Sequence, residues 1–199
     1  MSINLFDELE ADPETMARLH LRLEREATGD HLLDVAYRTV DSPVGKLLLA
    51  ATTVGLVRVA YDVEDHDAVL AKLASAVSPR VLRAPARLDD TARQLDEYFA
   101  QQRTDFEVPV DLRLAEGFRR SVIEHLRDIG YGRRESYADV ATAVGSPRAV
   151  RAVGSACAHN PLPVVIPCHR VVRSDGSSGQ YVGGPAAKTT LLDLEAVRE

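Results

Sequence analysis

The chain has 199 residues, 45% hydrophobic and 27% charged, which suits a soluble globular protein with one sizeable core or two small domains. No run approaches the roughly 18 apolar residues that a membrane helix needs. The acidic start lacks a signal peptide, and Cys157 and Cys168 alone give no disulfide framework, so a cytoplasmic protein without membrane contact is expected. The net charge of −6 argues against nucleic acid until the chain is divided: residues 117–199 carry +3 and the remainder −9. A local basic field can bind what the whole-chain charge would repel.

Residues 1–34 read as an N-terminal helical extension. Asp12-Pro13 gives a cap and a first-turn proline, and Met16, Leu19 and Leu23 fall along one stripe. Residues 35–112 read as a small α+β domain. DVAYRTVDSPVGKLLLAATTVGLVRVAYDVED suggests strands broken by turns, followed by helices in DHDAVLAKLASAV and LDDTARQLDEYFAQQ. TDFEVPVDLR, residues 104–113, suggests a further strand leading into a linker.

Residues 113–199 have another texture. GFRRSVIEHLRDI is amphipathic, with Phe118, Val122, Ile123, Leu126 and Ile129 on one side. Ser136 can cap a short helix, with Asp139 completing a capping box, and Gly145-Ser146-Pro147 ends it. A second helix is expected to begin near Pro147, which gives helix-turn-helix architecture. Val150, Val153 and Cys157 should face the core, leaving Arg148, Arg151 and Ser155 outside among Ala149, Ala152, Gly154, Ala156 and Ala158. Such a helix of small residues allows close packing against another helix or, with arginines at its turn, close approach to DNA.

NPLPVVIPCHRVV, residues 160–172, holds the second cysteine. Val164 to Ile166 suggest a buried strand that Pro167 ends, presenting Cys168 where the chain leaves the core. A lone cysteine is commonly inert and buried, but His169 and Arg170 follow at once, and such neighbours raise the thiolate fraction. In an extended strand Cys168 and His169 would point apart, so contact requires a turn or a bridging water. The spacing of Cys157, His159, Cys168 and His169 fits neither a zinc finger nor a zinc ribbon.

RAVGSACAHNPLPVVIPCHRVV followed by GQYVGGPAAK closely resembles the O6-alkylguanine-DNA alkyltransferases. The resemblance is strong over residues 117–199 and extends weakly over 35–110. It implies an α+β architecture, with a small N-terminal sheet-and-helix domain and a C-terminal winged-helix domain. It also implies a single-turnover transfer of the alkyl group from guanine O6 to Cys168. His169, working through water and backed by Glu195, matches the family's proton acceptor. Tyr137 matches the tyrosine that rotates the nucleotide and protonates the leaving guanine, Arg151 the side chain entering the base stack, and Asn160 the hinge.

On this resemblance Arg148, Ala152 and Ser155 join Tyr137 and Arg151 on the DNA. Pro163, Val171, Gly179, Tyr181 and Val182 line the pocket, the last two as its lid. The implied partner is duplex DNA carrying O6-alkylguanine, with O4-alkylthymine a further substrate, and a monomer suffices. No cofactor and no metal are implied. Val182 stands where some relatives have serine, Pro185 where a larger apolar residue is common, and Ile123 in the region of a usual tryptophan. The sulfur is expected to be exposed, ionisable and within reach of a flipped base. Two alternatives stand beside this reading: a non-catalytic lesion-binding protein on the same scaffold, and a thiol sensor pairing Cys157 with Cys168.

Overall fold

The computed structural model describes residues 12–30 and 32–196. Helix α1 (Pro13–Gly29) starts as expected, with the Asp12 carboxylate accepting from the Thr15 N–H at 3.1 Å. It is loosely held. Met16, Leu19 and Leu23 are about half exposed, while Ala27 packs beside Leu33, Ala36 and Ala84. Among the described residues, no helix is long and apolar enough to cross a membrane.

Three strands, β1 (Val35–Val40), β2 (Leu47–Ala51) and β3 (Leu56–Tyr61), form an antiparallel meander, and β4 (Val81–Arg83) adds in parallel to β1. The spatial order is β3-β2-β1-β4. Strand β2 is buried on both faces, which explains why LLLAA shows no polar alternation. Leu48 and Ala50 meet Val69 and Leu73 of α2 (His66–Ala76) on one face. Leu47 and Leu49 meet Leu95 and Tyr98 of α3 (Asp89–Phe99) on the other. This second core runs on without a break into the C-terminal half, taking in Val122, Ile123, Val153, Cys168 and Leu191.

Helices α4 (Gly117–Leu126), α5 (Tyr137–Ala143), α6 (Val150–Ala158) and α7 (Gly184–Leu194) surround a two-stranded parallel sheet of β5 (Glu135–Ser136) and β6 (Val171–Val172). The capping box on α5 forms as expected, with Ser136 and Asp139 exchanging hydrogen bonds. Helix α5, the turn and α6 make the helix-turn-helix.

Four expectations need correction. Residues 104–113 are irregular, pairing with the sheet backbone in an isolated bridge between Leu56 and Val110, because Pro109 lacks an N–H to continue a ladder. Helix α6 starts at Val150 rather than near Pro147, since Pro147 and Arg148 are spent on the turn. Val150 itself is 38% exposed, as a first-turn residue that the core does not reach, whereas Val153 and Cys157 are buried. Val164–Ile166 is a tight turn, not a strand. Val164 has φ 72°, a left-handed backbone costing a β-branched residue on the order of 1–3 kcal/mol.

Candidate active site around Cys168

Between α6 and β6 the chain crosses Asn160-Pro161-Leu162-Pro163-Val164-Val165-Ile166-Pro167, where three prolines remove three ladder donors. Asn160 ties this loop. Its Nδ2 donates to the Ile166 carbonyl at 2.8 Å, and its Oδ1 accepts from the Leu162 N–H at 3.0 Å. The loop is also held from the sheet, where the Val59 N–H donates to the Pro161 carbonyl at 2.8 Å. Cys168–Arg170 then form a single 3-10 turn, so Cys168 and His169 lie on a turn and not on opposite faces of a strand.

The sulfur is not exposed. Cys168 is 2% accessible, and burial pushes its thiol up to about 11, against the opposing pull of Asn160 and Lys188. This corrects the expectation of an open, readily ionised thiol: desolvation outweighs the cations and donors around it. Cys157 lies near enough to Cys168 to feel its charge, is also buried, and is pushed up by burial. Both thiols are free.

His169 is fully buried, and its Nε2 meets Glu195 Oε1 at 2.9 Å. Its Nδ1 has no hydrogen-bond partner among the described residues. Glu195 receives two more side chains. Arg170 forks onto it, Nε to Oε2 and Nη2 to Oε1, both at 2.8 Å, and the Tyr98 hydroxyl donates to Oε1 at 2.6 Å. The Gly132 N–H adds a longer bond to Oε2 at 3.3 Å, and Arg170 Nη1 donates to the Ile129 carbonyl. Burial would raise the Glu195 carboxyl, but the bonds from His169, Arg170 and Tyr98 outweigh it and bring it down to about 2. For His169 burial wins over the pull of Glu195, and the imidazole is held below its ordinary value of 6.5. At neutral pH the carboxylate is charged and the imidazole neutral.

Tyr137, the first residue of α5, is half-buried. A Cβ added at Gly179 would lie 2.7 Å from its hydroxyl, so the loop before α7 passes directly over this tyrosine. Gly179 also has φ 60°, a second reason for glycine there. Tyr181 and Val182 are partly buried against the same core, and the Tyr181 hydroxyl lies 3.0 Å from that of Tyr61 at the end of β3. Pro163 and Val171 are buried. Arg148, Arg151, Ala152 and Ser155 are all exposed on the outer side of the helix-turn-helix.

The structure thus brings Cys168, His169, Glu195, Asn160, Tyr137 and the Gly179–Val182 loop into one region. Of the five expected DNA contacts, Tyr137 lies in this region and the other four stand on a solvent-facing surface.

Three participants escaped the sequence reading, and Arg170 figures there only as a neighbour of the thiol. Arg170 and Tyr98 complete the Glu195 network, Tyr61 pairs with Tyr181, and Lys188 is fully buried on α7. Lys188 donates from Nζ to the Val171 carbonyl at 2.6 Å and lies 6.0 Å from the centre of the Tyr137 ring. One signal could have found it: Lys188 shares a helical face with Leu191, Leu192 and Glu195, a cation within an otherwise apolar stripe.

Two family models match the chain. That for the 6-O-methylguanine DNA methyltransferase ribonuclease-like domain covers residues 35–112, and that for the DNA binding domain of the same proteins covers 117–197. Helix α1 lies outside both. A methylated-DNA–protein-cysteine methyltransferase of Mycolicibacterium paratuberculosis is 38% identical over 81% of this chain and 92% of its own. The constitutive enzyme of Bacillus subtilis is 35% identical over 81% and 95%. Among solved structures, the O6-methylguanine methyltransferase of Mycobacterium tuberculosis superposes with a TM-score of 0.73 at 36% identity, covering 83% of this chain and 94% of that one. A DNA complex of the Mycobacterium tuberculosis protein gives 0.71 at 37% identity, covering 80% and 92%. The chain belongs to the 6-O-methylguanine DNA methyltransferase family.

Proposed function

We propose that the protein repairs duplex DNA in a single turnover, moving the alkyl group of a flipped O6-alkylguanine onto Cys168. The observation carrying this is the buried Cys168–His169 turn with His169 Nε2 on Glu195 at 2.9 Å, in a chain of this family. The thiol is largely protonated at rest, so its proton must leave as the bond to carbon forms. His169 is neutral at pH 7 and able to take that proton, its unpartnered Nδ1 reached from the thiol through water. Lys188 favours the transient thiolate by its charge.

Sulfur displaces the O6 oxygen at the alkyl carbon, and the C–O electron pair goes to the guanine. Tyr137, whose phenol burial keeps protonated, donates a proton to that leaving group. The proton lost by the thiol balances the one gained by guanine, and no metal or organic cofactor enters. The thioether persists, so each molecule acts once.

Arg148, Arg151, Ala152 and Ser155 form the surface that meets the minor groove, with Arg151 entering the stack beside the flipped nucleotide. The Gly179–Val182 loop and Tyr137 must part to admit the base, which gives the buried sulfur its route to substrate. Pro163 and Val171 form the deeper wall, and Asn160 holds the loop carrying Cys168 in register. The division into 1–34, 35–112 and 113–199 is supported by the limits of the two family matches. We place the protein in the cytoplasm as a monomer, consistent with its free thiols.

The test is to incubate the protein with duplex DNA containing O6-methylguanine and weigh the intact chain and its peptides. One methyl on the Cys168 peptide, abolished in Cys168→Ser, is the expected result. Binding without transfer would instead select the lesion-binding alternative.

A further inference from the structure

Glu195 Oε1 accepts from three side chains at once: His169, Arg170 and Tyr98. The first two belong to the Cys168 turn, but Tyr98 comes from α3 in the N-terminal half, 97 residues from Glu195 in sequence. Its 2.6 Å bond is the shortest of the three. Packing alone does not call for the hydroxyl, because the ring already lies against Phe99, Phe106 and Tyr131, where phenylalanine would fit equally. A buried phenol aimed at a carboxylate that Arg170 already neutralises has an electrostatic consequence instead. It draws charge from the oxygen that His169 shares.

We propose that Tyr98 is a positioning residue for the transfer reaction: its hydroxyl weakens Glu195 as a partner for imidazolium and so keeps His169 neutral and able to accept the thiol proton. This rests on the alkyl-transfer reading above, and it gives the N-terminal half a direct part in the chemistry. The groups facing His169 are Glu195 and Lys188 at and beside α7, Cys168 and Arg170 on its own turn, and Tyr181 from the loop over the site. Tyr131 lies beyond, under the Arg170 guanidinium. Tyr98 does not itself face the ring; among the described residues it is, besides His169, the neutral side chain that donates to the carboxylate oxygen His169 uses.

The experiment is a titration of the His169 ring by NMR in the wild type and Tyr98→Phe, paired with the pH dependence of the single-turnover transfer rate. In Tyr98→Phe the His169 midpoint rises by roughly half a unit, and the acid limb of the rate profile moves up with it. A ring-fluorinated tyrosine placed at position 98 keeps the shape but is a stronger donor, and it must shift both midpoints the opposite way. That variant also serves if Tyr98→Phe fails to fold. Unchanged His169 midpoints in both, or shifts of the same sign, overturn the inference whatever happens to thermal stability. Absence of methyl transfer in the wild type would instead overturn the transfer reading, and the titration would still decide the role of Tyr98 at Glu195.

Discussion

The outer face of the helix-turn-helix and the turn that begins eight residues beyond Asn160 are built on opposite terms. Arg148, Arg151, Ala152 and Ser155 stand in solvent, where polar groups are satisfied by water and substitutions cost little stability. Cys168, His169, Arg170 and Glu195 are closed away, and every charge there needs a partner supplied by the fold. Changes on the first surface should therefore alter DNA binding while sparing the fold. Changes in the second region should disturb both at once.

Glu195→Ala tests that contrast most severely. It leaves the Arg170 guanidinium buried without its carboxylate and should cost about 3–5 kcal/mol in urea unfolding, along with loss of transfer. Acid should dissolve the same network in two stages. His169 is held below 6.5, so stability begins to fall as pH drops through that value, where the unfolded chain takes up a proton and the native one does not. Glu195 is depressed from 4.5 to about 2, so a further loss follows as pH falls between those values. Stability measured against pH should show a larger second loss in the wild type than in Glu195→Ala, where the other depressed carboxylates, Asp111 among them, still contribute.

Asn160→Ala should cost about 2 kcal/mol by the same unfolding assay, since it leaves the buried Ile166 carbonyl and Leu162 N–H without their partner. On the exposed side, Arg151→Ala should slow transfer from duplex DNA on the order of tenfold, while transfer from a free O6-alkylguanine base changes little. Equal losses on both substrates would remove its assignment to the base stack. Val150→Ala should change the unfolding free energy by no more than about 0.5 kcal/mol, despite its place in an apolar pattern. A large loss there would erase the contrast between the two regions.

Much of the architecture was legible because it follows local rules. The amphipathic spacing of Val122, Ile123 and Leu126 placed α4, and Ser136 with Asp139 placed the start of α5. The two strand errors share a cause. VVI and TDFEVPV have strand-like composition, but a strand requires a partner with a free edge, and Pro109, Pro163 and Pro167 interrupt the donors such pairing would use. Val150 matched the buried stripe by spacing, yet a helix end can run past the core it packs on. At the site, the motif residues were legible and their surroundings were not. Nothing in LDEYF announces that Tyr98 reaches Glu195, and the burial of the GPAAK lysine shows only against the apolar stripe that follows it.

Taken alone, the sequence determined the family, the helix-turn-helix with its arginine-edged face, and the identity of the cysteine in PCHR, because these are carried by short-range pattern. The tertiary structure decided that this sulfur is enclosed, that His169 is neutral beside a charged Glu195, and that a tyrosine from the other half completes the network. Those properties depend on desolvation and on groups converging from distant parts of the chain, and neither exists until the core closes.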